Sequence, residues 1–166
     1  MPENFDEYAR RHSEGQANRE RLAKETKSEW SILKSFAAAF ATDGKEFVGQ
    51  KFQWAPYPSS QCEWLLLDSV GATFLDHGEM NGVPRDCRVY FDRRPPGPSA
   101  VWLEEDSPVA SQVWNLEPEI QGESFVWSVP ELGETYSSMD LADRIARELG
   151  EYHKKYEEHY HRWPAA

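Results

Sequence analysis

Apolar residues in the first quarter of the chain return at helical intervals. Leu22, Thr26, Trp30, Leu33, Ala37 and Phe40 follow one another at spacings of four and three, making one narrow, largely apolar stripe. The residues around it are good helix formers. Ser13-Glu14-Gly15-Gln16 has the Ser-x-x-Gln pattern of a capping box, in which the serine hydroxyl satisfies an amide of the first turn. Asp43-Gly44 supplies a stop, because glycine accepts the left-handed conformation that ends a helix. The spacing predicts a helix from about Ser13 to Thr42. Residues 1–12 are then a tail or short frayed helix ahead of a single α+β domain over 13–166.

The middle of the chain loses this period. Short runs rich in β-branched and aromatic residues lie at Glu46–Trp54, Cys62–Leu67, Ala72–Asp76, Cys87–Asp92, Ala100–Glu104, Ser111–Leu116 and Ser124–Val129. Turn chemistry separates them. Pro56 and Pro58 interrupt one gap, Asn81-Gly82 is a favoured two-residue turn, and Pro95-Pro96-Gly97-Pro98 cannot continue a ladder. No intervening segment is long and periodic enough for a crossover helix, so the strands are expected to be antiparallel.

Helical spacing returns at the end. Ser137 precedes Asp140 in a second capping-box pattern, and Ala142, Ile145, Leu149, Tyr152, Tyr156 and Tyr160 then step by three or four. The predicted fold is therefore α+β. An antiparallel sheet of about six to seven strands is flanked by a long N-terminal and a long C-terminal helix, both packed on one face.

Charge sharpens this division. The 166 residues carry a formal net charge of −11, from 29 acidic and 18 basic side chains. Residues 1–42 hold seven of each sign and residues 141–166 hold five of each. Residues 43–140 hold the other 17 acidic and only six basic groups, so the whole net charge lies between the helices. No Lys or Arg occurs between Arg94 and Arg144. Within that stretch Glu104, Glu105, Asp106, Glu117, Glu119 and Glu123 cluster near predicted strand ends and loops. Such a potential repels phosphate backbones, which excludes this face from nucleic-acid binding, and it attracts a basic protein surface.

The seven tryptophans offer a second candidate. Trp54, Trp64, Trp102, Trp114 and Trp127 fall one to each of five predicted strands, with Gln112 on the same strand face as Trp114. Aromatic rings dominate core burial, which is their ordinary role. If their faces agree, they instead line a cavity between the sheet and the C-terminal helix. That cavity would accept a small apolar or aromatic ligand, with Gln112 to orient it.

Other constellations carry less. Asp76-His77-Gly78-Glu79 combines metal-ligating and acid/base side chains, but turn chemistry explains every residue, and neighbours on a strand point to opposite faces. His153, His159 and His161 are separated by six and two residues, whereas a helical ligand pair needs three or four, so they are read as solvated and no metal site is expected. Asp92-Arg93-Arg94 reads as surface ion pairing. Cys62 and Cys87, the only cysteines, read as reduced thiols that are mostly buried. No phosphate loop, dinucleotide fingerprint, nucleophile elbow or His-Glu-x-x-His occurs.

These observations lead to a soluble protein expected to act as a noncatalytic binding protein without a cofactor, engaging a basic protein through its acidic strand-and-loop surface. The alternative is a small-molecule carrier or small enzyme built on the tryptophans. No run approaches the roughly 18 apolar residues of a membrane helix. The acidic start, Met1-Pro2-Glu3-Asn4-Phe5-Asp6-Glu7, lacks the order of a secretion signal, so a cytoplasmic location is expected.

Overall fold

A computed structural model describes residues 5–42, 49–56, 62–93 and 110–162. Among them the chain is α+β, with one helix at each end and antiparallel strands between. The helix α1 runs over Phe5–Ala39, β1 over Gln53–Pro56, β2 over Glu63–Leu67 and β3 over Val70–Leu75. A small hairpin follows, β4 at Glu79–Met80 and β5 at Val83–Pro84, and then β6 at Arg88–Arg93 and β7 at Gln112–Asn115. The chain continues through β8 (Glu117–Gln121), β9 (Ser124–Val129), β10 (Glu134–Tyr136) and the helix α2 (Ser138–Arg162).

The strands do not form the single sheet of six to seven expected from the sequence. The largest sheet among the described residues has five strands in the order β1-β2-β3-β6-β7, and a separate three-stranded sheet has the order β10-β9-β8. The split occurs at Leu116. This residue is 3% exposed and separates β7 from β8. Its N–H continues toward the first sheet by donating to the Cys87 carbonyl at 2.9 Å, while the next residue opens the second hairpin. The predicted strand at Ala100–Glu104, the proline-rich turn before it and the Asp43-Gly44 stop lie outside the described residues.

The helical stripes are where the sequence places them. Thr26, Trp30, Leu33 and Ala37 are buried on α1, and Ala142, Ile145, Leu149, Tyr152 and Tyr156 on α2. All but Thr26 share one core with Leu65, Leu67, Val70, Ala72, Phe74, Val89, Phe91 and Trp114. The strand register puts these sheet residues on one face of the five-stranded sheet, and buried residues of both helices join them in one core.

Two helix starts differ in outcome. At α2 the Ser137 hydroxyl accepts the Asp140 N–H at 3.1 Å, the N-cap bond that the pattern predicts. At α1 the helix passes through Ser13 without a break and begins at Phe5. Ser13 and Gly15 each cost a helix interior only about 1 kcal/mol or less, and helix formers lie on both sides, so the capping pattern does not impose a boundary. From Phe5 to Glu20 nearly every residue is exposed, and the residues buried on α1 begin at Thr26.

Candidate functional site

The described members of the acidic cluster, Glu117, Glu119 and Glu123, lie on the three-stranded sheet. Strand β8 alternates exposed and half-buried positions, with Glu117, Glu119 and Gln121 outward and Pro118 and Ile120 inward. Across the ladder Glu117 faces Ser128 and Glu119 faces Val126, so the outward surface has two carboxylates beside a hydroxyl and a half-buried valine. Among the described residues neither Glu117 nor Glu119 has an ion-pair partner. β8 is the edge of this sheet among the described residues. Pro118 has no N–H to offer along that edge, which discourages addition of a further strand.

Glu123 sits in the two-residue turn between β8 and β9 and is exposed. Its carbonyl accepts the Arg21 guanidinium at 2.7 Å, tying the turn to α1, and Arg21 also pairs with Glu25 at 3.5 Å. Glu131 serves the structure instead. Its carboxylate accepts the backbone N–H of Asn115 at 2.7 Å and the Asn115 side-chain amide at 2.8 Å, clamping the β9–β10 turn to the end of β7. Burial raises its pKa, but these hydrogen bonds outweigh it and hold the carboxyl below its ordinary value. Glu104, Glu105 and Asp106 lie outside the described residues.

The tryptophans do not form one band. The register puts Trp54 and Trp114 on the helix-covered face of the five-stranded sheet and Trp64 on the opposite face, whereas Trp127 belongs to the second sheet. Trp102 lies outside the described residues. Trp114 packs edge-on to Phe91 at 4.7 Å, under the Arg144 guanidinium at 5.1 Å from its centroid. Trp127 packs against Phe125 at 5.0 Å and Trp30 at 6.1 Å. Trp54 is half-buried and donates its indole N–H to Glu63 at 2.8 Å. Gln112 is half-buried opposite Phe91, on the same face as Trp114.

A cavity of about 580 Å³ does lie along α2, but none of the described tryptophans lines it. Its apolar wall is Phe52, and Arg144, Arg147, Lys154, Glu148 and Glu151 line it from the helix. Gly150 also faces it, and a Cβ added there would meet nothing within 4 Å. No family model, curated protein or solved structure matches this chain. The site is therefore read from its own chemistry.

The two short motifs have different outcomes. Asp76 is committed to structure, since one carboxylate oxygen accepts the Trp30 indole N–H at 3.2 Å and the other the Gly78 N–H at 2.8 Å. Asp76, His77 and Glu79 do not gather into a metal-ligating group. His153, in contrast, is not the solvated ring expected. Its side chain is 18% exposed, and its Nε2 lies 3.5 Å from Asp68 Oδ2 and 3.4 Å from Glu157 Oε1. The signal missed in the sequence is His153-x-x-x-Glu157, a carboxylate one helical turn beyond the histidine. Asp68 is distant in sequence and no local pattern announces it. The side chains of His159 and His161 lie outside the described residues.

Cys87 is 3% exposed and Cys62 is half-buried. Burial, reinforced by the nearby Asp76 carboxylate, pushes the Cys87 thiol up to about 12, so it is protonated and unreactive at neutral pH. No described helix is long and apolar enough to cross a membrane.

Proposed function

We propose that this chain is a noncatalytic binding protein whose acidic sheet face engages a basic protein partner. The observation that carries this reading is the pair Glu117 and Glu119, outward on one strand and without ion-pair partners among the described residues, inside a stretch of sequence that holds no Lys or Arg from Arg94 to Arg144. Two neighbouring exposed carboxylates contribute little to the fold, and their field extends about a Debye length, roughly 8–10 Å at ordinary ionic strength. A cationic surface is steered by such a field and docks with complementary charge. Glu104, Glu105, Asp106 and Glu123 belong to the same sequence stretch and extend the acidic surface in this reading.

The test compares two charge reversals of equal size, Glu117→Lys/Glu119→Lys and a control, Glu7→Lys/Glu14→Lys, on the exposed start of α1. Binding to a panel of purified cationic proteins is followed across a salt titration. Loss confined to the β8 variant, in a protein that still melts normally, supports the acidic face. Equal weakening in both variants reduces the effect to net charge and overturns the reading.

A second reading is favoured by the cavity beside α2, whose mixed apolar and charged lining suits a small polar ligand with an apolar body. It replaces a tryptophan-lined pocket with one built on Phe52. Gly150→Leu projects into this space, and loss of ligand-induced thermal shifts in that variant alone is the expected result.

A further inference from the structure

The hairpin between β2 and β3 brings a carboxylate to the outer end of α2. Leu67 and Val70 pair across a two-residue turn, Asp68-Ser69, in which Asp68 has φ 53°. Asp tolerates this left-handed conformation better than most side chains do. The turn is held in place because Leu67 and Val70, on either side of it, are buried in the core beneath the helices. On α2, His153 and Glu157 lie one turn apart, and the buried Tyr152 and Tyr156 beside them fix the rotation of that helix. Two elements locked by one core therefore aim three donors at one point.

We propose that Asp68, His153 and Glu157 form a binding site for a borderline divalent cation of the Zn²⁺ class, with a fourth position open to solvent or to a small ligand in the adjoining cavity. Donor spacing is the first argument. Zinc bonds to nitrogen and oxygen of roughly 2.0–2.1 Å require neighbouring donors of a tetrahedron to lie about 3.3 Å apart. The two edges from His153 Nε2 are 3.5 Å and 3.4 Å, and all three donor atoms lie within 4.8 Å of one another. Two of the three edges therefore already stand near the required spacing.

Donor chemistry is the second argument. One neutral imidazole and two carboxylates offer a nitrogen and oxygens whose net charge of about −2 neutralises a divalent ion, a set that suits zinc better than it suits calcium or magnesium, which prefer all-oxygen shells. The Ser69 hydroxyl donates to Glu157 Oε1 at 3.4 Å, an outer bond of the kind that orients ligating carboxylates. Access is the third argument. Asp68 has a side chain 73% exposed, so an ion can enter, while His153 and Glu157 line the cavity beside α2. The site uses none of the carboxylates of the β8 face, so it stands or falls independently of the partner-binding proposal.

The competing account is a protonated His153 pairing with two carboxylates and no ion. The full chain is stripped with chelator and titrated with Co²⁺, whose four-coordinate complexes absorb visibly far more strongly than the hydrated ion. Zn²⁺ affinity is then measured by competition. Binding of one ion per chain with that spectrum is expected, and His153→Ala, Glu157→Gln and Asp68→Asn should each weaken it by about tenfold or more. His77→Ala, which alters an exposed histidine elsewhere, should leave it unchanged. Absence of the four-coordinate spectrum, or equal affinity in wild type and the three site variants, overturns the proposal. Loss in His77→Ala but not in His153→Ala overturns it too.

Discussion

Trp127 donates its indole N–H to the hydroxyl of Ser138 at 2.9 Å, and both residues are buried. The bond joins the middle strand of the three-stranded sheet to the first turn of α2. The same hydroxyl donates onward to the Glu29 carboxylate of α1 at 2.6 Å. A side chain of one oxygen thus ties three elements that meet nowhere in sequence. Ser137, one residue earlier, caps the helix, so adjacent serines perform separate tasks.

Ser138→Ala should leave the buried Trp127 N–H without its acceptor and Glu29 without its donor. The expected loss is about 1–3 kcal/mol of stability. Urea denaturation followed by tryptophan fluorescence measures it. A change within a few tenths of a kcal/mol would mean that the junction does not hold the elements together.

Gly150→Ala on α2 should stabilise the protein by about 0.5–1 kcal/mol, because alanine removes the helix cost of glycine and its Cβ meets nothing within 4 Å. A raised melting temperature in calorimetry is the expected result. A lowered one would show that the cavity beside Gly150 is filled in solution.

The two thiols should differ in reactivity. Cys87, its thiol pushed up to about 12, is expected to resist a disulfide reagent at neutral pH until the protein unfolds. Modification of Cys87 in Cys62→Ser should therefore follow the unfolding rate measured separately. Rapid modification of that variant under native conditions would contradict the burial.

Glu131 should give stability a pH dependence. Its pKa is lowered in the folded protein, so its contribution is present above the ordinary carboxylate value and is lost as pH falls through the folded one. Glu131→Gln should destabilise near neutrality and narrow its gap to wild type in acid. Melting temperatures of both proteins across that range decide it, and a gap that is constant with pH would refute the assignment.

Both helices were legible in the sequence because their buried stripes repeat within a single element, and a local period needs no partner to be read. Leu33 and Ala37, or Leu149 and Tyr152, announce their shared face by spacing alone. The Asn81-Gly82 turn is similar, since the backbone conformation it needs, φ 55° and 79°, is a property of those two residues. Strand β8 escaped notice because Glu117-Pro118-Glu119 is poor in strand formers, and its place is set by pairing with β9 rather than by propensity.

The candidate sites divide along the same line. By itself the sequence determined that net charge lies between the helices, because charge is a sum over residues and requires no geometry. Only the tertiary structure decided that Trp64 points away from Trp54 and Trp114, since a register shift of one residue moves a ring to the other face of a sheet. Only the fold decided that Asp68 meets His153 and Glu157. Those residues approach because a β-hairpin and a helix bury their apolar faces in one core, and nothing local in either segment specifies that meeting.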